Sequence, residues 1–192
     1  ANLRRIRAAT AQPAGFTTET MAALDPRRGH AALRRGRFSA ADASYFLTLY
    51  TENKRSGLTC DSIAAEIHRE FAAMEADATW IDRCHVVMPD HLHALIVLVL
   101  DFHSPAIQRL KAKTSGALLS SGLIWERGFF DHKLRTDEPA DAVFRYIYLN
   151  PYRAVLLGRQ ERWPHWHCAP ADWKWFSGQL EHELPIPGWL PR

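Results

Sequence analysis

Cysteine is scarce in this chain. Its 192 residues include three, Cys60, Cys84 and Cys168, an odd number without CxxC spacing. That argues against a disulfide framework and against a cysteine-built zinc site, and it suits a reducing compartment. Long apolar runs are lacking as well. The longest, Ala94 to Leu100, falls far short of the ~20 residues that a membrane-spanning helix needs. It reads as a buried strand, and no membrane association is expected. The N-terminal stretch has no apolar core of a secretion signal, so a cytoplasmic location is expected. Internal repeats and low-complexity tracts are absent.

Net charge is only +3, but it is unevenly placed. Residues 1–38 carry eight arginines, among them Arg34, Arg35 and Arg37, against Glu19 and Asp25, for a local charge of +6. The remainder therefore sums to −3. An arginine-rich arm with little apolar periodicity is what a phosphate backbone attracts. Pro13, Gly15, Pro26 and Gly29 interrupt this arm, leaving room for a short helix near Thr20–Leu24. With 47% hydrophobic residues and seven tryptophans, the rest is globular. The organisation read from this is a basic arm at 1–38, one domain at 39–160, and a Trp/Pro-rich tail at 161–192 packed on the domain.

Periodicity places the elements. Tyr45 to Thr51 is aromatic and β-branched and reads as a strand. Ile63, Ile67, Phe71 and Met74 form the stripe of a helix from Cys60 or Asp61 to Glu75. Strands follow at Thr79–Val87 and His91–Leu100, with Met88-Pro89-Asp90 between them. Ser104-Pro105 opens a helix toward Leu119. Ile124–Leu134 reads as a strand with an irregularity at Gly128. Thr136-Asp137-Glu138-Pro139 begins a last helix, with Thr136 as its cap. Pro151 disfavours helical geometry at Asn150 and predicts a break or kink there.

Two segments carry chemistry. In Met88-Pro89-Asp90-His91-Leu92-His93-Ala94-Leu95-Ile96-Val97, alternation sends His91 and His93 to the same face of a strand. Two imidazoles side by side on a rigid element make half a metal site. In Arg145-Tyr146-Ile147-Tyr148-Leu149-Asn150-Pro151-Tyr152-Arg153, Tyr146 and Asn150 lie one helical turn apart and can reach one small volume. Tyr148 is rotated by about 200° from Tyr146 and Tyr152 follows the proline, so both are weaker candidates. His165-Trp166-His167-Cys168 has no further ligand pattern beside it, and no metal is expected there.

The segments MPDHLHALIVL, IWERGFFDHKLR and RYIYLNPYRAVLL, in that order, resemble the HUH single-tyrosine transposases, most closely their REP-associated branch, over about residues 40–166. The resemblance implies an α+β, ferredoxin-like domain with a central antiparallel sheet, to which the order β-α-β-β-α-β plus a helix is suited. It implies Tyr146 as nucleophile, His91, His93 and Asn150 as metal ligands, and single-stranded DNA with a REP-like palindromic hairpin as substrate. The setting would be a bacterial, nucleoid-associated protein. A monomer is expected, with a dimer left open.

The chemistry fits these residue types. A phenol with a pKa near 10 is a poor nucleophile at neutral pH. A divalent ion polarises the scissile phosphate and offsets developing charge. A mixed set of two imidazoles and one amide oxygen tolerates Mg²⁺ or Mn²⁺. Arg34, Arg35, Arg37, Arg109, Lys111, Lys113, Arg127 and Arg153 are expected DNA contacts. Asp131 and His132 are candidates to orient a metal ligand, while most aromatics of Trp125–Phe130 are expected in the core. Three other readings remain: a catalytically silent hairpin-binding protein, an HUH nickase of the relaxase or replication-initiator kind, and a metal-dependent hydrolase.

Overall fold

The computed structural model describes residues 42–99 and 103–190. The basic arm, with the helix expected near Thr20–Leu24 and the contacts expected at Arg34, Arg35 and Arg37, lies outside the described residues. The elements are β1 (Ser44–Tyr50), α1 (Asp61–Ala76), β2 (Trp80–Val87), β3 (His91–Leu98), α2 (His103–Ser120), β4 (Phe130–Lys133), α3 (Ala140–Arg153), β5 (Trp166–Cys168) and α4 (Pro170–Phe176). The sheet runs β4-β1-β3-β2-β5, and each neighbouring pair is antiparallel. The first six elements form the ferredoxin-like α+β arrangement, and the tail extends the β2 edge by one strand.

Central β3 organises both faces. Leu92, Ala94, Ile96 and Leu98 turn to the face covered by α1 and α2. Leu95 turns to the other, covered by α3 and the tail, and His93 alternates with Leu92 and so shares it. On α1, Ile63, Ile67, Phe71 and Met74 are fully buried, each worth about 1.5–3 kcal/mol. Tail residue Phe176 is fully buried too, so the tail contributes to the core of the α3 face.

Local irregularities depart from the expected pattern. β2 passes from Asp82↔Ile96 to Cys84↔Leu95 on its partner, so Arg83 is a bulge. The extra residue puts Asp82 and His85 on the same face although they are three apart. The last sheet segment is shorter than Ile124–Leu134. Trp125 makes a lone bridge to Thr51, and the chain between is held by Lys111, whose Nζ donates to the carbonyls of Glu126 and Gly128 at 2.7 and 2.6 Å. Trp125 and Phe130 are core residues, as the sequence suggested.

Helix α3 corrects two expectations. It starts at Ala140 with Pro139 at the N-cap and no side-chain cap. Thr136 lies upstream, and Glu138 serves the turn by accepting from the Arg135 N–H at 2.7 Å. No break occurs at Asn150, because Pro151 sits in the final turn of a helix that ends at Arg153. A proline there removes one backbone hydrogen bond close to where the ladder stops anyway.

Candidate active site: a tyrosine against a histidine pair

Cross-strand register builds the floor of the site. Tyr50 pairs with His91, Thr48 with His93 and Phe46 with Leu95; paired residues share a face. The imidazoles of His91 and His93 meet at 4.7 Å between ring centroids. Helix α3 crosses this face and brings Tyr146 to 5.3 Å from His93 and 5.6 Å from Phe46. Phe46 itself stacks on His93 at 5.2 Å. The two segments singled out in the sequence, more than fifty residues apart, are thus brought into contact. Asn150 is one turn further along α3 and half-buried.

Both histidines are held through Nδ1. His91 Nδ1 lies 2.6 Å from Asp90 Oδ1, and His93 Nδ1 lies 2.8 Å from Thr48 Oγ1. A tautomer with Nδ1–H in both bonds leaves the Nε2 lone pair free on each ring, the arrangement of a metal-ligating histidine supported by a carboxylate or hydroxyl. Burial, with His91 beside it, holds the His93 imidazole well below the usual histidine range, so it is neutral at pH 7. The hydrogen bond with His91 holds the Asp90 carboxyl below its ordinary value against partial burial. The donor set fits a divalent ion with two imidazoles and the Asn150 amide, and with positions left open. Among the described residues no group of three or more His, Cys, Asp or Glu side chains is gathered as a metal cage. Asp90 and Thr48 were missed by sequence reasoning. Asp90 was visible as the residue before the pair; Thr48 needed the β1–β3 register.

The other tyrosines of α3 are committed elsewhere. Tyr148 donates to the Glu183 carbonyl at 2.6 Å and Tyr152 to the Glu161 carbonyl at 2.8 Å. Burial pushes both phenols up from their ordinary value, Tyr148 far up.

Expected DNA contacts divide. Arg153 is exposed on α3 and its charge interacts with Tyr146. Arg127 is exposed, next to Glu126, whose N–H donates to the Tyr50 carbonyl at 2.8 Å. Arg109, Lys111 and Lys113 lie on α2, on the opposite side of the sheet from Tyr146. Arg109 donates to Glu70 at 2.9 Å and also binds Asp77. Lys111 is tied to the loop carbonyls already named, and burial brings its pKa down to about 8. Both side chains are thus engaged within the protein, on the side of the sheet away from Tyr146; Lys113 is exposed. Asp131 pairs with Leu47 and so turns away from the histidines, whereas His132 pairs with Phe46 on their face. There His132 Nε2 bonds to Glu138 at 2.8 Å, so neither residue supports a site histidine.

Across the sheet a second histidine group has formed. His85 Nδ1 lies 2.6 Å from buried Asp82, His85 Nε2 lies 2.6 Å from His68 Nδ1, and the ring of His167 stacks on His85 at 5.0 Å. Burial, then the neighbouring His85, His165 and His167, brings His68 down to about 4 against the opposing pull of Asp82. His165 and His167 are lowered by burial too. Between pH 6.5 and 4 the unfolded chain binds protons that the folded chain refuses. Stability is therefore full above about pH 6.5 and declines as pH falls toward 4, by about 3 kcal/mol for His68 alone. Urea midpoints at pH 7.0 and 4.5 measure this; an equal midpoint at both would contradict it.

No protein-family model matches the chain. A REP-associated tyrosine transposase of Escherichia coli (strain K12) is 25% identical over 131 residues, which span 67% of this chain and 78% of that one. A solved structure of a REP-associated tyrosine transposase bound to a REP hairpin superposes with a TM-score of 0.59 at 23% identity, again over 67% of this chain and 78% of the other. The motifs, the sequence comparison and the shared α+β fold converge: this chain resembles the REP-associated tyrosine transposases.

Proposed function

We propose that the chain is a metal-dependent single-stranded DNA endonuclease and strand transferase that acts at hairpin-forming palindromic repeats through a 5′-phosphotyrosine intermediate. The observation that carries this reading is the approach of Tyr146 to the histidine pair, with its ring 5.3 Å from that of His93. The relative of known structure is bound to a REP hairpin, which supports a DNA hairpin as the substrate class.

The Tyr146 phenol oxygen attacks the scissile phosphorus. A tyrosine O–P bond forms, the P–O3′ bond breaks, and the 3′ oxygen leaves with a proton as a free hydroxyl. That hydroxyl can later attack the phosphotyrosine and restore a phosphodiester, so the bond energy is conserved and no external energy source is needed. His91, His93 and Asn150 would hold a Mg²⁺ or Mn²⁺ ion, which when bound supplies charge for the phosphate oxygens. Asp90 and Thr48 keep the imidazoles oriented. Arg153 offsets charge on the phenolate or phosphate, as a positioned cation does in a partly water-excluded site.

The test is a cleavage assay on a labelled single-stranded hairpin oligonucleotide, with Mg²⁺, Mn²⁺ or EDTA. A metal-dependent, SDS-resistant protein–DNA adduct is expected. Cleavage without an adduct would point to a hydrolase. Hairpin binding without cleavage would point to a silent binding module.

A further inference from the structure

Helix α3 has a second lined side. Tyr148, Tyr152, Trp163, Trp166 and Trp173 wall a cavity of about 300 Å³, with Arg162 at its rim. The Tyr148 and Trp166 rings meet edge to face at 5.3 Å. Trp163 Nε1 donates to the Val87 carbonyl at 2.9 Å, and both tyrosine hydroxyls are spent on backbone carbonyls. Three of the five rings are therefore anchored by hydrogen bonds, and the cavity offers aromatic surface with limited ordering left to be done on binding.

Its position ties it to the candidate active site. Val86 pairs with His93 on one side and with Trp166 on the other, so the three residues stand in one row on one face. At 4.7–4.9 Å between strands, Trp166 is about 10 Å from His93. Pro151, which lines the cavity, directly follows Asn150. One helix thus presents Tyr146 to a phosphate and Tyr148 to whatever fills the cavity.

We propose that this cavity takes one unpaired nucleobase of the bound strand, near the scissile phosphate. Aromatic walls suit a flat π ligand, and base stacking on aromatic side chains is the usual means of holding a splayed-out base. Arg162 is mostly exposed and pairs with Glu183 at 2.7 Å. Glu183 lines the cavity as well; such an exposed pair is weak, so the guanidinium can turn to a phosphate of the same strand. The proposal rests on the reading of the chain as a DNA-cleaving enzyme.

The test uses the full chain with Tyr146→Phe, so that the oligonucleotide stays intact. Hairpin oligonucleotides carry 2-aminopurine at one position at a time in the single-stranded flanks. Fluorescence should be quenched strongly at one position. Trp173→Ala should remove that quenching and weaken binding about ten- to hundred-fold, while Trp173→Phe, which keeps a ring, should restore most of both. Tight binding with no position-specific quenching, or quenching indifferent to Trp173→Ala, overturns the nucleobase site and leaves the enzyme reading standing. Failure of the Tyr146→Phe chain to bind any hairpin, with wild type inactive in the cleavage assay, removes the enzyme reading and this proposal with it.

Discussion

Tyr146→Phe should abolish the covalent protein–DNA adduct and lower strand cleavage by on the order of 10³-fold or more, the scale expected when a nucleophile is removed from a coupled constellation. Hairpin binding should remain at wild-type strength. The ring stays in contact with Phe46 and His93, so the substitution deletes one hydroxyl and little packing. No neighbour on α3 can take over. Tyr148 and Tyr152 already donate to the carbonyls of Glu183 and Glu161, and burial makes both harder to ionise. Adduct yield on a denaturing gel, read beside a binding assay, decides the matter. An adduct that survives in the variant would show that another residue is the nucleophile.

His91→Ala should reduce metal-dependent cleavage to a comparable extent, and added Mn²⁺ should not rescue it. His91 is the better of the two histidines to replace, because its side chain is 15% exposed while His93 is buried with Phe46 stacked on it. Replacing His93 would confound loss of a ligand with damage to the core. A graded partner experiment is Asp90→Asn. That carboxylate bonds to His91 Nδ1 at 2.6 Å and so orients the ring. Loss of such support costs about 10–100-fold in metal affinity or activity. The variant should therefore need more Mn²⁺ for half-maximal cleavage yet approach the wild-type rate when saturated. An unchanged Mn²⁺ dependence would mean that Asp90 does not support a metal ligand.

Much of the fold was legible because it depends on local period. The α1 stripe at Ile63, Ile67, Phe71 and Met74 declared a helix, and all four residues are buried. The alternation in HLHALIVL placed both histidines on one face before any partner strand was known. The misreadings came from places where a distant contact overrides a local rule. Pro151 looked like a helix break, yet it sits in the final turn of α3. The partners of Arg109 and Lys111, acids on and just after α1 and the carbonyls of Glu126 and Gly128, were not visible in the sequence either. Asp131 and His132 are adjacent in sequence, so on a strand they had to fall on opposite faces; which of them met the histidines depended on the β1–β4 register.

The sequence by itself determined the candidate groups: a His-x-His pair on a strand, and a tyrosine one helical turn from an asparagine. Side-chain direction along a regular element follows from its period, and period is written in the order of residues. Tertiary structure alone decided that the two segments meet, that Thr48 and Asp90 hold the imidazoles, that tail residues Trp166 and Phe176 join the face beneath α3, and that five aromatic rings line a cavity whose Trp166 stands about 10 Å from His93. The reason is that a sheet brings residues together by strand order and register. Both are set by which apolar faces can be buried at once, a property of the whole chain that no single segment contains.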